Sequence, residues 1–287
     1  MTLDMLDIFS VQFIQNAFIA GSIVAIIAAA VGYFIIVRGL TFAGHALSHI
    51  GFAGAAGAIL LGIDPVFGLL AFTICAGIGI GILGKEARER DIAIGIIMTL
   101  GLGLGILFLT LYHGYAEQAY SILFGTIVGI SRTDVQITAI AGILTVAILL
   151  FIFRPLLFSS LDSEVAQARG VPVRLLGILF LILVAVVVSV SVQIVGVLLI
   201  FTLLIGPSAT AMRLVHRPLA AILLSILLGL FYTWSGILLA IYGNWPVSFC
   251  IATLSFAVYL PVRLLSPLWL GRRSRTSLER LRLDYES

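Results

Sequence analysis

The chain alternates long apolar runs with short polar breaks. A helix that crosses a bilayer needs about 20 mainly apolar residues. Runs of that kind are expected at about 12–36, 44–62, 66–83, 92–111, 134–153, 175–192, 195–212, 219–241 and 247–265. Neither the period of two of a half-buried strand nor the wide polar face of a surface helix recurs. The fold class expected is therefore all-α: a polytopic transmembrane helical bundle of about nine spans. Residues 1–270 would form the membrane domain and 271–287 a basic cytoplasmic tail. The stretch Tyr115 to Ile130, with its Tyr-Ser-Ile-Leu-Phe-Gly, reads as a short re-entrant or surface helix.

Composition agrees. Of 287 residues, 61% are hydrophobic and 10% charged, and the mean hydropathy is +1.23. Soluble domains carry roughly 25% charged residues, so lipid is the natural solvent here. The net charge of +3 does not point to nucleic acid, because the basic residues sit between apolar spans and form no stripe. Met1 to Ser10 has Asp4 and Asp7 and no base before Arg38, so no cleavable signal is expected. Cys75 and Cys250 lie inside apolar runs and read as small core residues. The glycines at 77, 79, 81, 84, 95, 101, 103 and 105 supply small faces for helix packing or for a channel lining.

Basic residues orient a membrane protein, since cytoplasmic loops hold the excess of Lys and Arg. With nine spans and the loop 84–91 in the cytoplasm, every basic residue except Arg132 falls on the cytoplasmic side. The N-terminus is then outside and the C-terminus inside. The outer loops are short, so capture of a dilute solute would need another protein. Asn244-Trp245-Pro246 reads as an outer turn with an interfacial aromatic, near which His113, Tyr115 and Glu117 also fall on the outer side.

Three constellations carry chemistry. His45 and His49, spaced i, i+4, share one helix face. That spacing suits two imidazole ligands for one divalent cation. The zinc-protease motif has Glu after its first His, and Ala46 stands there instead, so the general base of such an enzyme is missing. The second constellation is the polar insert 159–171, where Asp162 reads as an N-cap, Glu164 to Ala166 as a short helix and Gly170 as its close. It is either a connector or a docking helix for a cytoplasmic partner. The third is Pro207 with Ser208 and Thr210, either a helix break along a pathway or a kink patched by hydroxyls. No Gly-x-x-x-x-Gly-Lys-Ser/Thr loop occurs, so ATP, if used, is bound by another chain. A secondary transporter driven by an ion gradient is the rival reading. It usually needs a buried acid, and every acid here falls in a loop, at a span edge or in a terminus.

These residues resemble the membrane permeases of bacterial ABC importers for zinc and manganese, the ABC-3 group. The likeness rests on the run Arg38 to His49, on Leu123-Phe124-Gly125, on Glu164-Val165-Ala166 with Gly170, and on Val195 to Leu199 with Pro207 to Ala211. It implies a type II importer-like fold in a bacterial plasma membrane and a paired, homodimeric permease. It further implies cytoplasmic ATP-binding subunits docked through Asp162, Glu164, Ala166 and Gly170, and an extracytoplasmic metal-binding protein. It implies no tightly bound cofactor, no catalysis by the permease, and in-membrane metal contacts at His49 and at the position of His45. The family usually has Asp where His45 stands, Leu-Pro-Gly where Phe52-Ala53-Gly54 stands, and often Asp before the outer Pro, where Asn244-Trp245-Pro246 stands. Imidazole suits zinc and carboxylate suits manganese, so zinc is the expected cargo.

Overall fold

In lipid no water is available to an unpaired backbone group, so an apolar run closes its hydrogen bonds on itself as a helix. A computed structural model of the chain describes the backbone of residues 11–84, 87–112 and 129–283. Side chains are described for 11–84, 89–112 and 129–265. The helices are α1 (Gln12–Val37), α2 (Thr41–Leu60), α3 (Pro65–Leu83), α4 (Ala87–Leu111), α5 (Arg132–Leu161), α6 (Ser163–Ala168), α7 (Val173–Val195), α8 (Val197–Leu214), α9 (Pro218–Gly243) and α10 (Val247–Leu283). Among the described residues, eight are long and apolar enough to span a bilayer. The ninth of spanning length is α2, with 20 residues. Its histidines, Ser48 and glycines lower its apolarity, yet it is buried along nearly its whole length.

The expected spans match these helices, with three corrections. The fifth was expected to end before Arg154-Pro155, but α5 continues through Pro155 to Leu161. A proline removes only one donor, and the next turn still bonds. Its final turn carries Ser159 and Ser160, which α1 uses. The helix of α10 continues past position 265, where its span was expected to end, to Leu283. Cys75 is exposed rather than in the core, while Cys250 is buried. The stretch expected to be re-entrant, with His113, Tyr115, Glu117 and Leu123-Phe124-Gly125, lies outside the described residues up to position 128.

Packing depends on close backbone approach. A Cβ at Gly54 would collide with the carbonyl oxygen of Gly68, and one at Gly68 with that of Gly54, so α2 and α3 cross backbone to backbone. A Cβ at Gly32 would likewise strike the Leu204 carbonyl, locking α1 on α8. Of the glycines singled out in the sequence, Gly77 and Gly81 face Leu181 and Ile178 of α7, and Gly101 and Gly105 face Ile50 and Ala53 of α2, while nothing lies within 4 Å of the Gly103 position. Phe34 joins α1 to α5 and α7 through edge contacts with Phe153 at 5.7 Å and Phe180 at 6.1 Å. Thr73 and Ser189 share a hydroxyl hydrogen bond of 2.7 Å between α3 and α7.

The two ends differ. At one, Arg38 Nη1 donates to Ser159 Oγ (3.0 Å) and Ser160 Oγ (3.2 Å), and Arg90 Nη2 donates to the Gly39 carbonyl (3.2 Å). At the other, Asn16 Nδ2 donates to the Ile130 carbonyl at 2.9 Å, and the Gln12 amide oxygen, turned toward Arg132, accepts from its guanidinium. Arg132 thus stands at the opposite end from Arg38 and Arg90.

Candidate metal-contact site

Helix α2 is enclosed by α3 and α4, with further contact to α7 and α8. From Ala43 to Ala58 every residue is buried except His45 and His49, which are half-buried. The i, i+4 spacing therefore places both imidazoles on the one stripe of α2 that its neighbours leave open, in line with the exposed Phe42. The ring centroids lie 4.6 Å apart at 83°. Phe201 of α8 meets the His45 ring at 4.9 Å and 65°. Ser48 turns away and donates to the Gly44 carbonyl at 3.1 Å, so it is no nucleophile paired with a histidine. Two imidazoles fill two of the four positions of a tetrahedral divalent site. Among the described residues no third His, Cys, Asp or Glu joins them. Among the described residues, then, the pair by itself offers at most half of such a set.

Phe201 reaches His45 because the chain restarts its helix at Gly196. There φ is 84° and ψ 162°, a region essentially restricted to glycine. This is the break in the region; α8 runs unbroken through Pro207. Of the two readings of Pro207, a helix break or a kink patched by hydroxyls, the continuous helix fits the second. Ser208 and Thr210 are fully buried. Ser208 Oγ donates to the Ala29 carbonyl of α1 at 3.1 Å, and Thr210 Oγ1 to Gly206 at 2.8 Å. Both hydroxyls are spent on packing, and neither faces the histidines' open stripe. The sequence did hold a signal for the real break: two apolar runs meet at a single glycine, with no polar loop between them.

The polar insert folds as its residues direct. Asp162 Oδ1 accepts from the Val165 amide at 3.0 Å and caps α6. Gly170 has φ 82°, which lets the Val171 amide donate back to the Ala166 carbonyl at 3.0 Å. Ala166 is fully buried, whereas Glu164, Val165 and Gln167 are exposed. A small residue beneath and polar residues above make α6 a platform lying across the ends of α5 and α7. At the turn after α9, Asn244 takes the left-handed conformation (φ 53°) and ends that helix. Trp245 and Tyr242 are exposed beside it.

The ABC 3 transport family matches residues 10–266. The manganese transport system membrane protein MntC of Halalkalibacterium halodurans is 33% identical over 232 residues, 80% of each chain. The manganese import system permease protein ScaB of Streptococcus parasanguinis is 33% identical over 253 residues, 87% of this chain and 89% of the relative. Among solved structures, PsaBC from Streptococcus pneumoniae in complex with Fab superposes with a TM-score of 0.82 at 32% identity, covering 91% of this chain and 95% of that one. With an all-helical bundle of spanning length and a family match along almost its whole length, this chain belongs to the ABC 3 transport family.

Proposed function

We propose that this chain is the membrane permease of an ATP-driven importer for a divalent transition-metal ion, with His45 and His49 as contacts along the path. The observation that carries the reading is the open stripe of α2: between Ala43 and Ala58 only the two imidazoles are not buried, and their ring centroids lie 4.6 Å apart. Relatives named for manganese transport support the cargo class. Among the described residues the buried polar side chains are Ser and Thr, with no buried acid to relay protons or sodium, which counts against a secondary transporter.

The working cycle is alternating access. An extracytoplasmic metal-binding protein delivers the ion. A second permease copy completes the ligand set that two histidines leave short. A cytoplasmic ATP-binding subunit docks on α6, where Asp162 and Gly170 hold the platform, Ala166 seats it and Glu164 faces the partner. Hydrolysis there moves the halves, and the permease performs no chemistry itself. The end bearing α6 then lies in the cytoplasm, with the N-terminus outside and the C-terminus inside the plasma membrane. Paired imidazoles favour zinc over manganese, although the relatives are named for manganese. Two ligands hold an ion weakly enough to release it.

The test is elemental analysis of zinc and manganese taken up by cells carrying His49→Ala at unchanged membrane abundance. Uptake equal to that of the unaltered chain would remove His49 from the path.

A further inference from the structure

The bundle end that carries α6 is indented by a half-open cavity of about 790 Å³. Its charged lining residues are Arg38 at the end of α1, Arg90 in the first turn of α4 and Arg174 at the start of α7, with Gln167 beside them. Ile178 and Leu181 of α7 form an apolar wall.

Arg38 is held on three sides. It donates to Ser159 and Ser160, and its guanidinium carbon lies 5.9 Å from the centre of the Phe180 ring. Arg90 spends one nitrogen on the Gly39 carbonyl, while its Nε is buried and has no partner. Among the described residues no carboxylate pairs with Arg38, Arg90 or Arg174. Burial, and then the neighbouring charge of Arg90, push Arg38 below the usual arginine range. Arginine stays charged even so. Two adjacent cations, partly removed from water and paired with no carboxylate among the described residues, form an arrangement that an anion would relieve.

The shape narrows the choice of anion. Leu175 lines the cavity and is 56% exposed, and Leu83, next to the lining residue Gly84, is 60% exposed. The cavity is thus continuous with an apolar flank, so its occupant has a charged head and an apolar body. Basic pockets between spanning helices near the membrane surface suit anionic lipid headgroups.

We propose that this cavity binds the phosphoryl headgroup of an anionic phospholipid, with Arg38 and Arg90 as its principal contacts, Arg174 at the rim, and an acyl chain along Leu175 and Ile178. Such a lipid would brace α1, α4 and α7 where they converge beside α6. The cavity shares no residue with the histidine stripe, so the proposal does not depend on which metal is carried.

The experiment uses the full chain purified in neutral detergent, titrated with phosphatidylglycerol, phosphatidylcholine and inorganic phosphate. Retention is read by native mass spectrometry and stability by thermal unfolding. Phosphatidylglycerol is expected to be retained and to raise the unfolding temperature, and phosphatidylcholine to do neither. The double substitution Arg38→Gln, Arg90→Gln should weaken phosphatidylglycerol binding on the order of thirtyfold, and Arg38→Lys, Arg90→Lys should restore most of it. Should the glutamine pair not fold, Arg174→Gln, at an exposed position, is expected to weaken binding several-fold, about one surface charge's worth. Unchanged affinity in the folded glutamine variant, or equal retention of phosphatidylcholine, would overturn the proposal. Stabilisation by inorganic phosphate alone, as large as that by the lipid, would assign the site to a free anion and overturn the lipid. A glutamine variant that keeps its lipid but no longer assembles with an ATP-binding subunit would assign the arginines to an acidic protein segment, with the same consequence.

Discussion

Helices α2 and α8 both carry polar groups into the membrane, and they dispose of them in opposite ways. On α8, Ser208 donates to the α1 backbone and Thr210 to its own helix, and both are sealed. On α2, Ser48 is likewise closed on its own helix, but the two histidines stand half-buried on a stripe that its neighbours cover only in part. A polar side chain in lipid costs least when a carbonyl absorbs it. Where the fold leaves two ionisable rings accessible instead, their cost is tolerated for a reason other than packing. Polarity alone therefore does not tell a packed helix from an accessible one; the partner of each polar group does.

The comparison breaks most severely where α1 and α8 touch. Gly32→Val would force side-chain atoms into the Leu204 carbonyl, which cannot move without displacing α8. A loss of about 3 kcal/mol is expected, seen as a collapse in the yield of monodisperse protein in detergent. The next effect separates the two helices by function. His49→Ala should leave that yield unchanged and lower metal uptake at least about tenfold, as loss of a ligand exceeds loss of its supporting shell.

A third measurement tests the chemistry of the stripe. An imidazole coordinates only when neutral, so its contribution is full above its pKa and is lost as pH falls through that value. Protons compete with the metal for the imidazoles, so uptake should fall as the medium is acidified from about pH 7.5 to about 5.5. His45→Asp replaces one imidazole by a group ionised throughout that range. The pH profile should become shallower and the preference shift toward manganese, as read by uptake with both metals supplied together. An unchanged preference would detach metal choice from position 45. The smallest effect belongs to α8: Ser208→Ala removes one interhelical hydrogen bond, about 0.6 kcal/mol, with uptake held within about twofold. A large drop in uptake from that change would restore Ser208 to the pathway.

Much of the architecture was legible in the residues. The apolar runs marked the helices to within a few residues, except where α5 runs past Pro155 and α10 past its apolar part. The lone position of Arg132 foretold that it would stand at the opposite end from Arg38 and Arg90. Asp162 and Gly170 foretold α6 because a cap and a left-handed stop are local: their hydrogen bonds reach three to five residues along the chain. Pro207 stayed open to two readings because proline's effect on a helix depends on what surrounds it, and here α8 continues through it while packed against α1 and α10.

By itself, then, the amino-acid sequence determined that this protein lives in lipid, roughly where most of its helices lie, which end gathers the positive charge, and that two imidazoles share one helix face. Only the tertiary structure decided which faces are inside. In water, a polar face marks the outside of a helix. In a bilayer, residues facing neighbours and residues facing acyl chains are equally apolar, so no pattern of hydrophobicity tells them apart. That is why the exposure of Cys75, the crossings at Gly32 and Gly54, the sealed hydroxyls of α8, the open stripe of α2 and the convergence of Arg38, Arg90 and Arg174 on one cavity emerged only when the helices were packed.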